Sequence, residues 1–368
     1  MKKIFCILLI LSVAVSAFSQ TITIGGRAPS TGDPAIDKAL QDAFDGLTSQ
    51  MEDMVGGLNV APKNLIRAFG NASVYSSQGA TQRGYGGYNT FAVTFGSTIG
   101  FQLPVSPFKV MDLLSGDPLK RAFDDGDLIF GLNPQIINAQ IGFNTSFLLK
   151  DLYLGLRIGF TPDLGNMMGD AMGGMGGMNF SFSNFLLGIT ANYQLVESKS
   201  IGGLITWRGV NLGSGLLFQT TKLNMTYPLS QITQEVEGQI TKTYLKIDPK
   251  IFFNMDITTF TIPLEVMTAV NLVFLNIPFG IGADFAFGKS SMDIGMHSDI
   301  SITSDLGNVT PGYLTINAGG STAPTFANLK LMTGIGISIG PAIVIDIPVT
   351  WYFLDNGLNI GITAGLTF

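Results

Sequence analysis

The sequence predicts an all-β fold: a transmembrane antiparallel β-barrel of about 14 strands, within a range of roughly 12 to 16, preceded by a short helical segment. Three observations carry this. Charged residues make up only 12% of the 368-residue chain, about half of the ~25% usual in soluble proteins. Hydrophobic residues reach 46%, yet no stretch beyond the first 19 residues is an unbroken apolar run of ~18, so membrane-spanning helices are not expected. From Tyr88 onward apolar residues recur at every second position, the period of a strand with one apolar face.

The first 19 residues, opening "MKKIFCILLILSVAVSAFS", carry Lys2 and Lys3, an apolar core and small residues at Ser16 and Ala17. They read as a secretory signal peptide, cleaved after Ala17 or Ser19. Cys6 is the only cysteine and would leave with it, so no disulfide or thiol chemistry is expected in the mature chain. Of the 20 basic residues, Lys2 and Lys3 lie in this segment, leaving 18 against 26 acidic ones. That balance argues against a nucleic-acid partner.

Residues 20–87 form a separate N-terminal unit. Asp33 is placed to cap a helix and Pro34 to start it. Ile36, Leu40, Phe44, Leu47, Met51 and Met54 then recur at spacings of three and four until Gly56-Gly57. This amphipathic helix would sit in the barrel as a plug or on its periplasmic mouth as a cap. "SQGATQRGYGGY" follows as a Gly-rich connector.

Residues 88–368 are the expected barrel. Phe91, Val93 and Phe95 share one parity, as do Ile137, Ala139 and Ile141. After Lys150-Asp151 the parity flips, the mark of a tight hairpin. Further runs fall at 180–196, 200–227, 243–257, 260–272, 275–287, 312–319, 326–340, 342–354 and 358–368, with weaker ones near 127–132 and 297–304. Asn356-Gly357 marks the turn before the last strand. Polar loops are read at 228–242 and 288–299. Three strands between them would put them on opposite sides of the membrane, which points to a miscounted hairpin at Thr258-Thr259 or near Asn271. The Met- and Gly-rich stretch 161–179 has thioethers that suit Cu(I), but no His or Cys beside them, and is read as a surface loop without metal.

A charge on the lipid face costs up to ~2–4 kcal/mol at mid-membrane, so charged strand residues should face the lumen. Arg157, Arg208, Lys246, Asp248, Lys250, Asp256, Glu265, Asp284, Lys330 and Asp346 all oppose the apolar parity of their runs and are the candidate lumen-facing set. Five are basic and five acidic, so the lumen would be polar and of mixed charge. Tyr193, Trp207 and Trp351 lie on the apolar parity and suit interface girdles. Pro249, Pro263, Pro278 and Pro348 suggest kinks or bulges.

The last strand carries apolar residues at every second position back from Phe368. This resembles the C-terminal signal of bacterial outer-membrane β-barrel proteins, in which the terminal aromatic is read by the barrel assembly machinery. The resemblance implies a bacterial outer-membrane location, with outer-membrane lipid and that machinery as partners. A helical segment before about 14 strands is also similar to FadL-like transporters of hydrophobic compounds, whose N-terminal hatch plugs the barrel. The hatch signature Asn-Pro-Ala is missing from residues 20–87, and no binding residues are carried over. Spirochaete-type outer-membrane proteins are similar in general character.

Two functions follow as expectations. The first is a channel or transporter for small or hydrophobic solutes, partly closed by the N-terminal unit. The alternative is a non-transporting surface protein, adhesin or structural, acting through its loops. No enzyme is expected: His297 is the only histidine, and its neighbours Ser298 and Asp299 cannot converge on it as a triad does. Nor is a cofactor or metal expected, since phosphate loops and zinc spacings are absent.

Overall fold

The computed structural model describes residues 22–56, 62–78, 91–104, 129–145, 147–165, 178–235, 244–303, 310–340 and 342–368. The predicted signal peptide, most of the Gly-rich connector and the heart of the Met-rich stretch lie outside these. Two helices precede the barrel, α1 (Pro34–Gly56) and α2 (Pro62–Ser76). Among the described residues, 14 strands share one antiparallel sheet. They are β1 (Ile22–Arg27), β2 (Phe91–Gln102), β3 (Gly131–Asn144), β4 (Leu152–Thr161), β5 (Asn179–Val196), β6 (Lys199–Ile201) and β7 (Ile205–Pro228), then β8 (Ile232–Glu235), β9 (Tyr244–Leu272), β10 (Leu275–Thr303), β11 (Gly312–Thr322), β12 (Ala327–Ile339), β13 (Ile343–Tyr352) and β14 (Gly357–Thr367).

The sheet closes on itself. Pairings run β2–β3–β4–β5–β7–β9–β10–β12–β13–β14 and return to β2. The closing seam joins the last strand to the first barrel strand, as a barrel without edges requires. There the backbone N–H of Phe91 donates to Phe368 O at 3.1 Å, and that of Phe368 to Phe91 O at 2.8 Å.

The two ends of the ring differ. At the end holding Phe91 and Phe368 the connections are short, down to the two-residue turn Val273-Phe274. At the other end the long connections emerge, and β9 and β10, at 29 residues each, continue past the ring. Their pairing keeps one unbroken register from Leu275–Leu272 to Thr303–Tyr244. Beyond the ring β10 leaves β12 and pairs with β11, which pairs with β1, while β8 covers the free side of β9. The result is a sheet standing on the mouth of the barrel. α1 packs on β1, with Ile36 and Leu40 buried and Asp33 accepting from the backbone N–H of Ala35 at 2.9 Å. The predicted helix and its Asp33 cap are therefore present, but they sit at the long-loop end.

Around the ring the outward residues are apolar and exposed. On β9 these are Phe260, Ile262, Leu264, Val266, Val270 and Leu272. This run covers about 28 Å of membrane normal at a ~45° tilt and ~3.3 Å rise per residue, the thickness of a hydrocarbon core.

The expected hairpin at Thr258-Thr259 is absent: the runs 243–257 and 260–272 are one strand. Likewise 288–299 is strand, not loop, because its polar residues stand in water above the membrane rather than in a turn. Removing these errors also removes the conflict over the sidedness of the loops. Of the strand prolines, Pro249 lies in unshifted register, and Pro263, Pro278 and Pro348 interrupt one ladder each without shifting it. The register shifts fall instead at Gly96–Thr98, Gln194–Val196 and Trp207–Val210.

Candidate pore and its plug

The lumen is filled by α2, which the period of the sequence did not reveal. Every residue from Ala72 to Ser77 is fully buried. The helix begins at Pro62, a favoured first-turn residue, above the ring. There Ile66 packs on Met255, Ile257, Met292 and Ala318. It then descends into the barrel, where Val74 and Tyr75 pack on Ala286 and Tyr352; the two tyrosine rings stack at 3.9 Å. Wall glycines make room for it: a Cβ at Gly131 would strike the carbonyl of Ala68, and one at Gly100 that of Ala72.

The C-terminal end of α2 meets two cations. Ser77 O accepts from Arg157 Nη1 at 2.6 Å. Gln78 Oε1 accepts from Lys330 Nζ at 3.4 Å. Positive charge at this end complements the helix macrodipole and its unpaired carbonyls. Lys330 is fully buried and also contacts Glu265 Oε1 at 2.5 Å and Asp284 Oδ1 at 2.6 Å. A polar belt completes the fit. Asn133 donates to Thr221 Oγ1 at 2.8 Å and accepts from Asn184 at 2.6 Å, and Gln219 donates to Ser76 Oγ at 2.9 Å. Higher up, Asn71 Nδ2 donates to Gln102 Oε1 at 2.9 Å and Asp355 Oδ2 at 3.0 Å.

The candidate lumen set thus divides. Arg157, Glu265, Asp284, Lys330 and Asp346 point inward, and Arg208 lies against the Asn271 amide near the short-turn rim. These six remain balanced, three of each sign. Lys246, Asp248, Lys250 and Asp256 do not face the lumen. With no hairpin at Thr258, β9 keeps its parity, and these even positions continue the outward face of Phe260 and Ile262. They stand above the membrane, where an outward charge is in water: Asp256 lies 3.9 Å from Lys222, and Lys250 3.0 Å from Asp299, all well exposed. The odd positions, the apolar parity of the run 243–257, turn inward instead: Met255 and Ile257 are buried against the plug.

The aromatic candidates sit near the rims. Tyr193 pairs with Leu152 and Trp207 with Val270 at the short-turn end, while Trp351 pairs with Leu331 toward the other. His297 stands on the extension, its Nδ1 2.8 Å from Thr315 Oγ1 and its Nε2 3.2 Å from Asp299 Oδ1, so Asp299, two residues on along the same strand face, does meet it, while Ser298 is buried on the other face.

Fold and lumen together define a membrane β-barrel stoppered by its own N-terminal helix. The chain belongs to the Lsa36-like family, whose model matches residues 17–368. No curated protein matches it in sequence. Among solved structures it is similar to the translocator domain of autotransporter NalP from Neisseria meningitidis, at 7% identity over 76% of this chain and 88% of that one, with a TM-score of 0.29. It is also similar to the Ralstonia pickettii toluene transporter TbuX (9% identity, 82% and 97% covered, TM-score 0.25) and the P. putida toluene transporter TodX (8%, 82% and 99%, 0.26).

Proposed function

We propose that the protein is an outer-membrane channel for small or hydrophobic solutes, closed at rest by α2 and opened when α2 shifts. One observation carries this: the wall is cut to fit a helix. A barrel serving only as a scaffold can fill its interior with wall side chains. Here Gly100 and Gly131 bring the wall so close to the helix backbone that a Cβ would not fit, and polar side chains meet the helix at Asn71 and Ser76. A lumen that holds one helix, ~10 Å across with its side chains, is wide enough for small solutes once vacated. On this reading short turns face the periplasm and the long strands face out. Cleavage of residues 1–19, delivery by the barrel assembly machinery through Phe368 and the absence of catalysis belong to the same proposal.

A second reading is favoured by β9 and β10, about half of whose length stands outside the ring: a surface protein that acts through this extension without transport. Liposome swelling separates the two. Vesicles holding the folded protein without residues 20–87 should admit small sugars freely, and those holding the intact chain many-fold more slowly. Tight vesicles in both cases, with the barrel shown to be folded, would overturn the channel.

A further inference from the structure

We infer that the barrel carries its own N-terminal segment across the membrane and keeps α2 behind as the stopper, so that β1 and α1 are displayed on the cell surface. The path of the chain points to this. β1 pairs with β11 on the extension, at the long-loop end. α2 enters the lumen from that end, Ile66 against Met255 and Met292, and its C-terminal end reaches Arg157 and Lys330 inside the ring. The next described strand, β2, starts at the opposite rim, with Phe91 bonded to Phe368. The wall is hydrogen-bonded all the way round, so the lumen is the route between the two ends.

The 12 residues between Gln78 and Phe91 span at most about 43 Å when extended. That exceeds the remaining depth, the five steps from Arg157 to Leu152 on β4, about 17 Å. The connection is therefore long enough to finish the crossing. A chain made inside the cell, with β1 beyond the far mouth and β2 at the near one, has had β1 and α1 moved through or enclosed by this wall. The direction of export rests on the outer-membrane reading above; the threading does not.

Cysteine accessibility tests both. In a Cys6→Ser background, Gly46→Cys reports on α1, Ser321→Cys on the extension and Ser200→Cys on the short-turn end. All three sites are exposed, and a Cβ at Gly46 meets nothing within 4 Å. Folding of each variant is checked by heat-modifiable gel migration. With a membrane-impermeant maleimide on intact cells, Gly46→Cys and Ser321→Cys should label alike, and Ser200→Cys at least severalfold less until the outer membrane is permeabilised. Labelling of Gly46→Cys only after permeabilisation, together with Ser200→Cys, would overturn the threading. Labelling of Ser200→Cys in intact cells while the other two stay protected would overturn the export and its orientation, leaving α1 and the extension on one side.

Discussion

Replacing Lys330 with Met should unseat the interior of the barrel. The side chain is fully buried, and its ammonium lies 2.5 Å from Glu265 and 2.6 Å from Asp284. Met keeps an unbranched side chain, one atom shorter, and removes the charge. The two carboxylate oxygens then face each other at no more than about 5 Å, the sum of those contacts. At an effective dielectric of ~20 their repulsion is ~3 kcal/mol. Breaking one side of a buried ion pair typically costs ~3–5 kcal/mol, so both routes give a loss of that order. Gln78 also loses its donor, which loosens the tip of the plug. Denaturant unfolding in lipid vesicles measures the loss. It should change little between low and high salt, because buried charges are poorly screened. Adding Glu265→Gln and Asp284→Asn should restore most of the stability. A loss below ~1 kcal/mol, or a triple variant as weak as the single one, would refute the cluster as a charge-coupled unit.

Further tests reach other parts of the account. Val273 holds φ +56 in a two-residue turn, a costly conformation for a β-branched side chain; Val273→Asn should stabilise the barrel by ~1 kcal/mol in the same unfolding assay, and no gain would mean that the strain is compensated. Asp37 accepts from Thr31 N at 2.6 Å and Ser30 Oγ at 2.7 Å, and the Thr31 N–H most of all holds its carboxyl below the usual 3.8. Its stabilisation of the turn before α1 is present above that value and lost as pH falls through the lowered one. Protection of the Thr31 and Gly32 amides from hydrogen exchange should fall there, and Asp37→Asn should remove the pH dependence. Trp207 and Trp351 are the only tryptophans; with either one left, lipids brominated near the headgroup should quench more strongly than lipids brominated near the chain end, and the reverse would place that ring outside the girdles.

The barrel was legible where the membrane dictates the pattern. Outward residues such as Phe260, Ile262 and Leu264 must be apolar, and Asn356, at φ +51, marks its turn by residue type. Reading failed where the membrane stops. Above the ring the sheet follows the logic of a soluble protein: Met255 and Ile257 turn inward onto the plug, and Lys250 and Asp256 turn out to water. Alternation looks the same in both regimes, so the sequence could not show that inside and outside had exchanged polarity on one strand. α2 was hidden for a related reason. A helix that packs in a polar lumen uses small and hydrogen-bonding residues, as Ala72, Ser73 and Ser76 show, so the large apolar residues Leu65, Ile66 and Phe69 mark only its first turns. The signal was instead in the wall, in glycines such as Gly100 and Gly131 that have no turn to explain them.

The plug as the gate is tested most directly by locking it. A Cβ at Gly70 on α2 would lie 3.4 Å from Ser290 Cβ on β10, close to the ~3.8 Å mean of disulfides. In the Cys6→Ser chain carrying Gly70→Cys and Ser290→Cys, single-channel recording across a planar bilayer should show no openings while the disulfide is formed and intermittent openings after reduction. Equal conductance in the two redox states, or silence in both and also in the form lacking residues 20–87, would contradict the account.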